Sequence, residues 1–190
     1  MLKKTMKDDQ STQARLEIIC TSLLETIGED PKREGLLLTP TRWAKWWMEF
    51  INYNPGNTET TFESISTDQM IIVKGMKVWS ICEHHLLPFW TEISIGYITK
   101  DKVLGLSKFA RISHQYAHRL QIQEGLVRDI AEEVSRLTQT EDVAVLGSGE
   151  HLCMQMRGIR SEGVMVSSYM GGGFRTEHAM RSEFLSLVNP

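Results

Sequence analysis

The spacing of apolar residues predicts helices at the start of the chain. Over residues 11–27 apolar side chains recur at helical intervals, and Gly28 then supplies a helix stop. A second helix is predicted to begin at Thr39-Pro40, with the threonine as N-cap and the proline at the first helical position. Residues 53–67 are mostly polar and are predicted to form a linker.

Strand and helix patterns alternate after the linker. Residues 92–98 alternate between apolar and polar positions, which predicts an antiparallel strand buried on one face only. Short apolar runs predict further strands at 70–73, 78–81, 143–146, 152–156 and 164–170. Helical spacing predicts a helix capped by Ser107, another over 122–137 and a closing helix over 175–188.

This order of elements indicates the fold class. Helices, strands, helices, strands and a final helix are typical of an α+β fold, here with an antiparallel β-sheet and packed helices. We predict two parts: an N-terminal helical region with its linker over residues 1–67, and a further domain over residues 68–190. A hydrophobic content of 41% in 190 residues is sufficient for a core.

Charge and hydropathy narrow the expected partners. The net charge of −3 and the pI near 6.1 argue against a broad nucleic-acid-binding surface. The charged N-terminus is not followed by an apolar run of the length that a signal peptide or membrane helix needs. We therefore expect a cytoplasmic protein with neither a nucleic-acid nor a membrane partner.

Two clusters of cysteine and histidine predict a metal site. Zinc binds Cys sulfur and His nitrogen in tetrahedral geometry, with four protein ligands in structural sites and three in catalytic sites. Cys82 and His85, spaced C-x-x-H, can reach one ion, and Cys153 is the natural third ligand. If residues 151–153 are extended, His151 lies on the same face as Cys153, and His84 flanks the metal on the other side. The two free imidazoles could then transfer protons near neutral pH.

Other interpretations of these clusters remain open. In a structural zinc site, His84 or His151 would be the fourth ligand. Buried, unliganded thiols at Cys82 and Cys153 are a weaker alternative. A disulfide is weaker still, because the chain has three cysteines and no secretory signal precedes them.

A second set of residues predicts an anion site. Ser107, Lys108 and Arg111 lie in the first turn of a predicted helix, where free backbone N–H groups and the helix dipole favour anions. Phosphate is the obvious ligand, and solvated surface charge is the alternative. Arg157 follows Cys153 by four residues and can bring a further guanidinium to the same cavity.

One adjacent pair suits a purine. Gln123-Glu124 offers an amide beside a carboxylate, which together can hydrogen-bond the donors and acceptors of a purine edge. Such pairs are also common on helix surfaces, so this pattern is weak when taken alone.

Six segments together resemble the GTP cyclohydrolase I family. They read GEDPKREGLLLTPTR at 28–42, CEHHLLPF at 82–89, GLSKFAR at 105–111, QIQEGL at 121–126, HLCMQMRG at 151–158 and GGGF at 171–174. The resemblance implies the tunnelling fold (T-fold), in which antiparallel sheets from many subunits close a barrel. It also implies a homodecamer with active sites between subunits.

The resemblance assigns a role to each site residue. The implied zinc ligands are Cys82, His85 and Cys153, and the implied catalytic residues are His84 and His151. The implied purine anchor is Glu124, with Gln123 beside it. The implied triphosphate contacts are Ser107, Lys108, Arg111 and Arg157, together with Arg42 from a neighbouring subunit.

The implied reaction opens the imidazole ring of GTP. Carbon C8 leaves as formate, and sugar rearrangement and ring closure give 7,8-dihydroneopterin triphosphate, a precursor of folate, pterin cofactors and deazapurine bases. His84 is expected to protonate N7 while water activated by zinc attacks C8. His151 is expected to relay later protons, and the sequence is equally compatible with the exchange of these two roles.

Departures from the family pattern leave two competing functions open. Thr91 and Ser94 replace the usual Gly and His, and Gly125 stands inside a predicted helix beside Glu124. None of these changes removes a matched site residue. One competing function is a tunnelling-fold enzyme acting on another purine or pterin. The other is a GTP-binding regulatory subunit without turnover.

Overall fold

The computed structural model of the chain describes residues 10–188. It has helices and a β-sheet, which confirms the predicted α+β class. The chain divides into two compact units, the first ending at Asn54 and the second beginning at Pro55. The domain division after residue 67 stays a prediction. Among the described helices, none combines the length and apolar character needed to cross a membrane.

From residue 10 onward, the first unit contains two helices that pack against each other. They are α1 (Gln10–Thr26) and α2 (Thr39–Ile51), with a short 3-10 turn at Glu34–Leu36 between them. The predicted cap at Thr39 is wrong, because Leu38 is the N-cap residue and Thr39 already belongs to the helix. Aromatic side chains of α2 contact one another, as in the stacked pair Trp46 and Phe50.

The second unit is built on a five-stranded sheet. Its strands are β2 (Met70–Cys82), β3 (Pro88–Ile98), β5 (Leu120–Gln121), β6 (Val143–His151) and β7 (Met165–Met170). They run in the order β5-β2-β3-β6-β7, and all pairs are antiparallel except the short parallel pair of β2 with β5. A separate two-stranded sheet pairs β1 (Thr61–Glu63) with β4 (Lys102–Leu104).

Helices cover both faces of the large sheet. On one face α3 (Leu106–Ala117) and α4 (Gln123–Thr138) contribute to the larger core cluster. On the other face a smaller cluster includes Phe174 of α6 (Gly172–Thr176) and Phe184 of α7 (His178–Val188). Strand β3 is therefore buried on both faces, and the prediction of a half-buried strand is wrong. At Gly96 an added Cβ would lie 2.7 Å from a ring carbon of Phe184, so the ring packs directly on the strand backbone.

Three other predicted elements differ from the observed ones. Strand β2 is one continuous strand whose pairing shifts between Val73 and Met76, where Gly75 has a φ of +77°. Helix α3 begins at Leu106 with Gly105 as N-cap, so the predicted Ser107 cap is wrong. The single predicted closing helix is two helices, α6 and α7.

The segment after β6 also differs from its prediction. Residues 152–156, predicted as a strand, contain a short helix, α5 (Leu152–Gln155). His151, the last residue of β6, pairs with Phe89 beside the start of β3 at Pro88. Proline has no backbone N–H to continue a strand ladder, so the pairing of β3 with β6 ends at Phe89 and His151, and the chain turns into α5.

Candidate metal centre and its surroundings

A tight loop after β2 brings two predicted metal ligands together. The backbone N–H of Cys82 donates to the carbonyl of Leu87 at 2.8 Å, and the carbonyl of Cys82 accepts from the N–H of Leu86 at 2.9 Å. Leu86 has a φ of +54°, in the left-handed region, which lets the chain reverse within a few residues. As a result, His85 Nδ1 lies 3.6 Å from Cys82 Sγ.

Cys153 completes a group that could hold a metal ion. The ligand atoms of Cys82, His85 and Cys153 all lie within 4.8 Å of one another. A zinc ion with Zn–S of about 2.3 Å and Zn–N of about 2.0–2.1 Å separates tetrahedral S and N ligands by about 3.6 Å. The observed distance between Cys82 Sγ and His85 Nδ1 fits this value. The predicted trio is thereby confirmed as a possible metal-binding group.

The route by which Cys153 reaches this group differs from the prediction. Cys153 lies in helix α5, so the expected alternation of residues 151 and 153 along a strand is wrong. The change from strand to helix at His151 turns Cys153 towards the loop that carries Cys82 and His85. Within the described part of the chain, the group that can hold an ion includes neither His84 nor His151.

The environment of Cys153 favours its neutral thiol. Burial raises the pKa of Cys153, and the neighbouring Cys82 raises it further, while the Arg157 guanidinium acts in the opposite direction. A metal binds the thiolate form, so ligation would have to displace this proton.

His151 is held by two neighbours. Its ring stacks on Phe89, with the ring centroids 4.6 Å apart and the planes at 4°. Its Nε2 lies 3.0 Å from Gln123 Oε1. Burial lowers the pKa of His151, and the nearby carboxylate of Glu124 acts in the opposite direction.

His84 occupies a different environment on the loop after β2. Its side chain is 64% exposed, and its Nε2 lies 3.8 Å from Glu83 Oε1. The ring centroids of His84 and His85 are 6.1 Å apart. One predicted catalytic histidine is thus at the solvent edge of the metal group, while the other is half-buried against the sheet.

The two residues of the predicted purine-binding pair face different surroundings. Glu124 is exposed in the first turn of α4. Gln123 is fully buried, and its Nε2 donates to the carbonyls of Gly147 and Met165 at 3.1 and 2.9 Å. The Gln123 amide therefore has protein partners rather than a surface facing a ligand. No pattern in the sequence indicates Phe89 or these carbonyls as partners of the site, because they become neighbours only in the folded sheet.

The predicted phosphate-binding residues of α3 lie at its first turns. Ser107 and Arg111 are exposed, and Lys108 is half-buried. The Lys108 ammonium donates to the carbonyl of Asn57, and the Arg111 guanidinium donates to the carbonyl of Pro55. Arg42 lies in the first unit, on an exposed face of α2.

A family model and several named relatives indicate the same family for this chain. A family model described as GTP cyclohydrolase I matches residues 16–189. A protein named GTP cyclohydrolase 1 from Hahella chejuensis is 48% identical, with coverage of 89% of this chain and 93% of its own. A protein of the same name from Sulfurihydrogenibium sp. is 44% identical, and the match covers 92% of this chain and 94% of that protein. Another from Hyperthermus butylicus is 39% identical, and the match covers 94% of this chain and 92% of that protein.

Proposed function

Because this chain belongs to the GTP cyclohydrolase I family, and so is a hydrolase with the α+β tunnelling fold, we propose that it opens the imidazole ring of GTP. The products are formate and 7,8-dihydroneopterin triphosphate. The observation that carries this proposal is the group Cys82, His85 and Cys153, whose ligand atoms lie within 4.8 Å of one another beside two further histidines.

The metal of this proposal is zinc, held by the two thiolates and one imidazole. When bound, zinc supplies Lewis-acid activation of water at neutral pH. His84, exposed at the edge of the loop, donates a proton to N7 of the purine, which makes C8 electrophilic. His151 moves protons in ring opening and rearrangement, or the two histidines exchange these roles. The orientation of His151 by Phe89 and Gln123 supports its part in proton transfer.

The proposed substrate contacts separate the base from the phosphates. The Glu124 carboxylate accepts hydrogen bonds from the N–H groups of the guanine edge. Positive side chains bind the triphosphate, since cations near the start of a helix add to its dipole in attracting anions. We assign this role to Lys108, Arg111 and Arg157, with Arg42 supplied by a neighbouring subunit. The uncharged hydroxyl of Ser107 donates a hydrogen bond to the same phosphates.

The remaining features of the proposal follow from the family. We propose a homodecamer with active sites between subunits, located in the cytoplasm and without nucleic-acid or membrane partners. Its product would enter folate, pterin or deazapurine biosynthesis. An exposed Arg42 on α2 is compatible with a residue that acts on another subunit's substrate.

The test is turnover of GTP by the purified protein with zinc. We expect formate release and pterin fluorescence after oxidation, both abolished in Cys153→Ala. Cys20→Ala is the matched control and should retain both products, because Cys20 is buried in α1 of the first unit. A folded, zinc-loaded protein that binds GTP but releases neither product would contradict the proposal and favour the regulatory function.

A further inference from the structure

The amide of Gln123 connects the start of α4 to two strands and to His151. Its side chain is fully buried. Besides the carbonyls of Gly147 and Met165, its Nε2 lies 3.0 Å from Ser167 Oγ. Its Oε1 lies 3.0 Å from His151 Nε2 and 3.4 Å from the hydroxyl of Thr91. The polar atoms of this amide are therefore engaged within the protein.

The partners of Gln123 fix which way the amide points. Backbone carbonyl oxygens only accept hydrogen bonds, so the group beside Gly147 and Met165 must be the NH₂. The reversed amide would place its oxygen against two other oxygens in a buried site, at the cost of two lost hydrogen bonds. Oε1 must then face His151.

This orientation determines the protonation of the His151 ring. An amide oxygen has no hydrogen to donate, so His151 Nε2 must carry the proton in their 3.0 Å contact. In the neutral imidazole one nitrogen is a donor and the other an acceptor. The proton-accepting atom of neutral His151 is therefore Nδ1. Parallel stacking on Phe89 restricts the plane of the same ring.

We propose that Gln123 is a positioning residue, which holds His151 in the Nε2–H tautomer and so makes Nδ1 its proton-accepting atom. The tautomer follows from the hydrogen bonds alone, whereas its effect on catalysis rests on the proposed function. It also replaces the purine contact that the sequence predicted for Gln123. Gln123 acts through His151 and not on the substrate, because its amide is buried among protein groups.

The direct test is the tautomer of His151 in the full-length protein. Two-bond ¹H–¹⁵N correlation spectra of ¹⁵N-histidine-labelled protein distinguish a protonated Nδ1 from a protonated Nε2. The spectra should be recorded at a pH of about 8, well above the ordinary histidine pKa of about 6.5. His151→Phe assigns the signals. We expect a proton on Nε2, and a proton on Nδ1 in the neutral ring would overturn the proposal without any variant of Gln123.

Two substitutions of Gln123 test whether the tautomer of His151 depends on the Gln123 amide. Gln123→Met removes both hydrogen-bonding groups at similar size. Gln123→Glu keeps an oxygen for His151 Nε2–H and, as the protonated acid that burial favours, donates its O–H to one of the two carbonyls in place of the NH₂. We expect Gln123→Met to mix the tautomers and to lower kcat about 100-fold with KM for GTP changed by less than about threefold, in line with the loss of an acid–base group. Gln123→Glu should restore the Nε2–H signal and part of kcat.

A control and the wild-type assay separate the possible failures. Gln13→Met makes the same chemical change on α1, where the amide donates to Glu17 at 2.8 Å, and should leave both readouts unchanged. A folded Gln123→Met protein with the wild-type tautomer and kcat would overturn the positioning role. If wild-type protein shows the Gln123-dependent tautomer but no formate release, the positioning is supported and the proposed function fails.

Discussion

The Lys108 ammonium donates a 2.6 Å hydrogen bond to the backbone carbonyl of Asn57. One turn further along α3, Arg111 donates in the same way to the carbonyl of Pro55. Glu59 pairs with Arg136 of α4 at 2.8 Å, so residues 55–59 are tied to two helices. Each cation uses one of several donors in these contacts, since lysine has three and arginine five. Residues 55–59 therefore hold in place two cations that we propose bind the triphosphate.

Gly56→Ala is expected to weaken GTP binding. Gly56 has a φ of +74°, and a Cβ there would collide with the Arg111 guanidinium. The collision moves the Arg111 guanidinium out of the position in which the Pro55 carbonyl holds it. The proposed triphosphate contact is thereby weakened, so KM for GTP should rise about tenfold, which is equivalent to about 1.4 kcal/mol. Steady-state kinetics of formate release measure this change.

Gly75→Ala is the matched control for backbone strain. Gly75 has a similar φ of +77°, but its Cβ would meet no atom within 4 Å. Both variants should lose about 1 kcal/mol of unfolding free energy in denaturant titrations, the usual strain of a left-handed non-glycine residue. Only Gly56→Ala should change KM. A lower KM in Gly56→Ala would show instead that the segment competes with the triphosphate.

Local sequence patterns predicted where helices and strands occur better than they predicted how these elements pack together. Strand β3 shows why, because its alternation correctly assigns Ile93, Ile95 and Tyr97 to one buried face. Its other face is covered by Phe184, which is far away in sequence and joins the strand only through the tertiary fold. Periodicity in a short window cannot register that contact.

For the candidate site too, contacts between residues close in sequence were predicted better than contacts between remote ones. The C-x-x-H spacing predicted the pairing of Cys82 with His85, because a four-residue turn limits where both side chains can point. Residues remote in sequence were harder to predict. Ligand counting predicted Cys153 as the third member of the group that could hold a metal ion, although its helical setting was not foreseen. The role proposed for Gln123 depends on backbone carbonyls of two strands. Every residue has a backbone carbonyl, so the sequence does not indicate which ones will meet the Gln123 amide.

Zinc content should distinguish a three-ligand site from a four-ligand one. We expect one zinc per chain in wild-type protein, almost none in Cys82→Ala or His85→Ala, and one in His84→Ala and His151→Ala. The reason is that neither of the last two histidines belongs to the group that could hold an ion. Elemental analysis after gel filtration measures the ratio. Loss of zinc in His84→Ala or His151→Ala would identify that residue as a fourth ligand and favour a structural site.

Acidification should destabilise the fold through His114. Burial lowers the pKa of His114, so below the ordinary histidine pKa of about 6.5 the unfolded chain binds the proton more readily than the folded one. Unfolding free energy should therefore decrease as the pH falls through and below about 6.5. His114→Gln should flatten this dependence in denaturant titrations, whereas the same change at exposed His178 should not. An equal slope in wild type and His114→Gln would contradict this assignment.

The glycine inside α4 is expected to be coupled to the side chain of Gln121. A Cβ at Gly125 would lie 2.6 Å from Gln121 Oε1, which accepts from the N–H of Ile122 at 3.0 Å. Alanine is favoured over glycine within a helix by about 1 kcal/mol. Gly125→Ala should gain that amount of unfolding free energy in a Gln121→Ala background, where the obstacle is gone. In the wild-type background the gain from Gly125→Ala should be offset by displacement of Gln121.

A double-mutant cycle of Gly125→Ala and Gln121→Ala, measured by denaturant unfolding, should give a coupling of about 1 kcal/mol. Additive effects would show that Gln121 moves aside without cost.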